Sequence, residues 1–424
     1  MSKTGYCQIK PRGLVLKLTS LFSVLTVLAV GTPGCQSSPT LQSEIAKIVA
    51  PDQFSISRWE ISSVSKVVDQ SIDNKYHLTA EDSQVVVDYF AVMDKINSET
   101  SAIEAISSGV MKGDLASHVQ ALVDLEIQRD GLSGKAGAVL EIQLRAALTD
   151  AGIFNPLDGR LDLKSTFPPV QLTLQEPPKL LVISPRDKIE HLATITLNNG
   201  LSLDEIDKLE TSVSTLHVSA LVVDLGGIAT YPSFVANRYG LRFALSTAAE
   251  EWLHQYFFFR PLGFRYVLEQ LGVSEPDYIV TMNETLAGMV SNEIAGMLYD
   301  RYYASYYPST GQQNGGGTAS GFSFNTFMRE TRLRTDSLLA EGQIEQAESY
   351  MEQQRLVLAS HGYLIRKLNQ AFFAFYGSYA DQPGFENPIA DNLKALRDKS
   401  ADLASFVRKA TSLTNPDQLA KAIE

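Results

Sequence analysis

The chain predicts an α+β protein, mostly helical, with a small mixed sheet packed on the helices of its core. Three observations lead there. Apolar residues recur at three-and-four spacing over long stretches, as in VVVDYFAVMDKI and ASHVQALVDLEIQRDGL. Between Val170 and Val235 the pattern changes to alternation and short apolar runs punctuated by proline and glycine. The segment TAAEEWLHQYFFFRPLG then places two acids and a histidine on one stretch of helix.

The 424 residues are 44% hydrophobic and 20% charged, enough for a large core. A net charge of −12 argues against nucleic acid as a partner, because no basic excess exists to neutralise phosphates.

Residues 1–35 read as a signal peptide. Lys3, Lys10, Arg12 and Lys17 form a basic start without acids, and an apolar run from Leu18 to Gly31 follows. That run is short for a bilayer span, which takes roughly 20 residues. The following TPGCQSS resembles a bacterial lipoprotein cleavage site, with Cys35 as the acylated residue. The resemblance implies export to the cell envelope, with membrane contact only through an N-terminal lipid or anchor. Cys7 would leave with the signal, so the exported chain holds no internal disulfide.

Beyond the signal, residues 36–56 are polar and read as a tether, and residues 57–153 as a helical region that ends on Gly152. Residues 154–306 form the αβ core. Its strands are expected in QLTLQEPPKLLVISP and at Ala220–Leu225, with a helix at SLDEIDKLETSVS between them. The Gly226-Gly227 pair that follows marks a place of close backbone approach. Residues 307–322 are a glycine-rich flexible loop without the Lys-Ser/Thr ending of a phosphate cradle. Residues 323–424 are helical, with a break at DQPGFENP.

On a helix, residues four apart lie about 40° from each other round the axis. Glu250 and His254 have that spacing and can offer a carboxylate oxygen and an imidazole nitrogen to one metal, with Glu251 one step round. Downstream, Asn283-Glu284 precedes Ala287 in MNETLAGMVSNEIAG. This arrangement resembles the gluzincin metallopeptidases, in which H-E-x-x-H is followed by N-E-x-x-A; here Glu250 stands in the place of the first histidine. The resemblance implies Glu250, His254 and Glu284 as metal ligands and Glu251 as the general base toward water. The resemblance implies a zincin-like core that holds Zn²⁺, although two carboxylates and one imidazole also suit Mn²⁺ or Fe²⁺. In that family an edge strand before the motif helix presents backbone to an extended substrate, and the resemblance implies this role for Gly226 to Val235, with Gly226, Gly227 and Ala229 at its start. Tyr363, Tyr376 and His361 are candidate oxyanion donors. The PLG, NET and YLIRKLNQAFFAFYGSYAD segments are also similar to those of exported bacterial proteins of unassigned function that carry H-E-W-x-H at this position.

The expectation is thus an envelope-tethered hydrolase that attacks the bonds of peptide or protein substrates with metal-activated water. The alternative is an inactive zincin-fold protein acting as a peptide- or envelope-binding module. No second E-x-x-H exists to complete a di-iron bundle, and no G-x-S-x-G marks a serine hydrolase. The oligomeric state is left open.

Overall fold

Leu41, Ile45, Ile48 and Val49 share a helix face, although the text around them is polar. In the computed structural model, which describes residues 40–59, 78–107, 111–153, 155–156, 166–270, 278–307, 322–363, 365–376 and 388–424, they form α1 (Leu41–Val49). Thr40 caps it by accepting from the Ser43 N–H. Ile45 and Val49 are buried. The chain then runs beside a sheet, with the Phe54 N–H donating to Thr196 O at 2.9 Å and the Asn198 N–H to Asp52 O at 2.8 Å. The tether expected over 36–56 is therefore corrected for residues 41–56, which belong to the folded body. The signal segment, Cys35 and most of the glycine-rich loop lie outside the described residues. Among those described, no helix is long and apolar enough to cross a membrane.

The helical N-terminal region contributes α2 (Ser83–Ser107) and α3 (Leu115–Asp150), which pack against each other. Gly152 stops α3 with φ +70°, a left-handed turn that glycine adopts without strain.

Among the described residues six strands follow: β1 (Leu172–Leu174), β2 (Lys179–Pro185), β3 (Ala193–Leu197), β4 (Val218–Val223), β5 (Gly227–Ile228) and β6 (Ser233–Val235). They form two three-stranded sheets where one was expected. The order β3-β2-β4 is antiparallel throughout; β1-β6-β5 is mixed, with β1 parallel and β5 antiparallel to β6. β3 is a strand that the sequence reading passed over. Helix α4 (Leu203–Ser214) starts with a capping box of Ser202 and Glu205. Together with α1 it buries Leu181, Ile183, Ala220 and Val222 on one face of the antiparallel sheet. The alternate residues Leu180, Val182, Leu221 and Val223 meet α10 (Gln370–Tyr376) on the other face.

Three helices carry the site: α5 (Leu241–Phe258), α6 (Pro261–Gln270) and α7 (Ile279–Tyr302). Both α5 and α7 are apolar around most of their circumference, the pattern of helices in the middle of a core. Around them the chain adds α8 (Phe324–Ala340), α9 (Ile344–Ser360), α11 (Ile389–Asp398), α12 (Leu403–Ala410) and α13 (Pro416–Ile423). Leu393, Phe406 and Leu419 from the last three join α2, α3, α5 and α7 in one large core.

Candidate metal centre

One side of α5 is fixed to the rest of the fold by buried polar groups. Trp252 Nε1–H donates to Pro168 O at 2.8 Å, and Gln255 Nε2 donates to Thr230 O at 2.7 Å and to Ser233 Oγ at 2.9 Å. The helical period then turns Phe243, Thr247, Glu250, Glu251 and His254 toward a cavity of about 320 Å³. The other walls come from Gly226–Ala229, from Tyr266 of α6, from Glu284 of α7 and from Phe375 and Tyr376 of α10.

The proposed ligands converge. Glu250, His254 and Glu284 each offer one ligand atom, and these atoms lie within 4.8 Å of one another. His254 Nε2 is 3.6 Å from Glu284 Oε2. Glu284 is 1% exposed, and its Oε1 accepts from the Tyr266 hydroxyl at 3.1 Å. Behind the imidazole, the Asn283 amide lies 3.0 Å from His254 Nδ1. Asn283 Oδ1 is buried and makes no hydrogen bond among the described residues. With the amide turned so that Oδ1 accepts from Nδ1–H, Nε2 keeps the lone pair that a metal-bound imidazole needs.

These residues fit a divalent cation. A carboxylate as buried as Glu284 is costly without a positive partner. Two carboxylates and an imidazole are a donor set that suits Zn²⁺, Mn²⁺ or Fe²⁺.

Glu251 points elsewhere than its neighbour. A methyl group built on Gly227 would come within 2.5 Å of Glu251 Oε1 and of Thr247 Cγ2. The close approach expected at the glycine pair is therefore between strand and carboxylate. β5 is an edge strand of its sheet, so Glu251 rests against the edge at the cavity wall.

Gly226, Gly227, Ala229, Glu250, Glu251, His254, Glu284 and Tyr376 all line this one cavity. Two expected oxyanion donors do not. His361 caps the end of α9 and stacks on Phe322 with ring centroids 4.0 Å apart; Tyr363 stacks on Phe324 at 4.6 Å. Tyr363 is corrected to a packing role in a separate cluster with α8 and α9, and His361 to an exposed ring stacked on that cluster's Phe322. Sequence reasoning missed Tyr266, the aromatic wall of Phe243 and Phe375, and the bond from Asn283 to His254. Asn283 stood in the quoted motif, and its place beside Glu284 was the available signal. Tyr266 gave none, because it lies outside both motif segments.

No family model, no curated protein and no solved structure matches this chain.

Proposed function

We propose that the protein is a metal-dependent peptide hydrolase with a zincin-like core, held in the bacterial cell envelope through its N-terminus. The observation that supports this reading is the meeting of Glu250, His254 and Glu284 in one cavity with Glu251 seated against an edge strand.

Glu250 and His254 of α5 and Glu284 of α7 would hold the cation, Zn²⁺ in the first instance. When bound, the cation supplies Lewis acidity toward water and a carbonyl oxygen. The chain does the rest. Asn283 orients the His254 ring, and Tyr266 holds the Glu284 carboxylate by one oxygen, leaving the other toward His254. Glu251 takes the proton of the attacking water and passes it to the departing amide nitrogen. The edge of β5 offers backbone groups to an extended peptide, which lays its bond across the carboxylate. Of the three candidate oxyanion donors, Tyr376 is the one that lines the cavity.

The test combines metal content with hydrolysis. Full-length protein should carry one equivalent of divalent metal, and His254→Ala and Glu284→Ala should lose both metal and activity. Glu251→Gln should keep the metal while peptide hydrolysis falls about 10²-fold or more, the ordinary worth of a general base. Absence of metal and of hydrolysis in the wild type would instead favour the inactive binding module. Loss of metal in Glu251→Gln but not in Glu250→Gln would reverse the roles of the two acids.

A further inference from the structure

The cavity has two chemically different ends. One holds the carboxylates and His254. The other is lined by aromatic rings from segments far apart in sequence: Phe243 in the first turn of α5, and Phe375 and Tyr376 at the end of α10. Tyr239 lies beside Phe243 with centroids 4.7 Å apart. Phe243 is 38% exposed and Tyr239 48%, whereas Trp252, Tyr256 and Phe257 of the same helix are buried. Aromatic rings held open in a concave wall, with a few polar groups converging nearby, are the usual make-up of a ligand pocket.

The glycine pair aligns the two ends. A methyl group on Gly226 would come within 2.6 Å of Phe243 Cζ, and one on Gly227 within 2.5 Å of Glu251 Oε1. Ring and carboxylate are thus pressed onto adjoining residues of one edge segment, with Cα atoms about 3.8 Å apart. A peptide laid along that edge advances by about 3.3 Å per residue. When one of its bonds lies at Glu251, the side chain next to that bond reaches the rings. Charge at this end is already compensated. Asp224 accepts from Lys179 Nζ at 2.5 Å and lies 3.1 Å from Arg238 Nη2, so it is engaged by two cations before any ligand amine arrives.

We infer that Phe243, Phe375 and Tyr376 form a subsite for a large apolar or aromatic peptide side chain beside the cleaved bond. The cleavage part of this inference rests on the hydrolase reading; the binding part does not.

The experiment separates the two. Glu251→Gln in the full-length protein is titrated by fluorescence anisotropy with peptides that differ at one position, carrying Phe, Leu, Ala or Lys. The Phe and Leu peptides should bind at least about 10-fold more tightly than the Ala and Lys peptides, the scale of a filled apolar pocket. Adding Phe243→Ala should reduce that preference to about 2-fold with Tm and metal content kept. Gly226→Ala, which displaces the ring without removing it, should weaken the preference as well. Equal affinity for all four peptides, no binding of any, or a full preference after Phe243→Ala would overturn the subsite. Selective binding of the Phe peptide without hydrolysis by the wild type would leave the subsite standing and remove the hydrolase reading.

Discussion

Gly227 and Glu251 compete for the same few ångströms, and the glycine is what lets the carboxylate lie on the strand edge. A side chain at 227 meets Glu251 and Thr247 of α5. Gly227→Ala should therefore cost about 1–3 kcal/mol of stability, as overpacking does, and lower peptide hydrolysis about 10²-fold, since a displacement of about 1 Å in a catalytic group has that effect. A wild-type rate in this variant would show that Glu251 does not act from its present seat. Glu250 is the other residue whose identity matters singly. Imidazole is a better donor than carboxylate for Zn²⁺, so Glu250→His should raise zinc affinity, read by competition with a chelator, and should widen the preference for Zn²⁺ over Mn²⁺. Unchanged zinc affinity would place Glu250 outside the ligand set.

At the scale of elements, the polar residues of YLIRKLNQ find their purpose at the exposed edge of β4. The Val222 N–H donates to Glu210 at 2.6 Å, Val222 O accepts from Arg366 at 3.1 Å, and Ala220 O accepts from Asn369 at 3.0 Å. Side chains thus occupy the hydrogen-bonding groups that would otherwise invite another strand. Glu210 is fully buried; burial works against its charge, yet Arg366, Lys367 and the Val222 N–H hold its pKa below the ordinary value. The stability it brings is present above pH 4.5 and lost as pH falls through its lowered folded value. Arg366→Met should cost roughly 3 kcal/mol at pH 7 by leaving that carboxylate underpaired, seen as a lower denaturation midpoint. A shift below about 0.5 kcal/mol, the range of ordinary surface substitutions, would mean the cluster is dispensable. The corner between α5 and α6 is equally particular. A Cβ on Gly263 would run into the backbone carbonyl of Phe257. Gly263→Ala should therefore destabilise by about 1–3 kcal/mol, as overpacking does, and slacken the seat of Tyr266.

For the molecule as a whole, the joint between the N-terminal helices and the mixed sheet carries a pH dependence. Glu141 of α3 accepts from the Leu172 N–H of β1 at 2.9 Å. Burial pushes its carboxyl up to about 7, against the opposing pull of that hydrogen bond and of Arg145. With a folded value above the unfolded one near 4.5, its contribution to stability is fully present below pH 4.5 and is lost as pH rises through about 7. Glu141→Gln keeps an acceptor for Leu172 and has no charge to bury. It should stabilise the protein by about 2–3 kcal/mol at pH 8 and by little at pH 4.5, measured by denaturant midpoints. Equal effects at both pH values would show that Glu141 titrates normally.

The sequence by itself determined the elements whose signals are local. Helical spacing marked α5 and α7, alternation and apolar runs marked β1, β2 and β4, and Gly152 marked the end of α3. It also placed Glu250 and His254 on one helical face, because a spacing of four residues fixes their relation without reference to anything distant. Whether Glu284 reaches them was not determined in that way, since its position depends on how α7 crosses α5. That crossing is set by packing of two helices apolar on nearly all sides, whose text shows no preferred face. The same reason hid α1, whose short apolar stripe gains meaning only from the sheet it covers, and Tyr266, which meets Glu284 across a helix junction. His361, Tyr363 and Tyr376 looked equivalent as candidates on one segment. Only the tertiary structure separated them, because α10 turns Tyr376 into the cavity while the segment before it packs against Phe322 and Phe324. Contacts within a turn of chain are written in the order of residues; contacts between elements depend on burial shared with residues a hundred positions away.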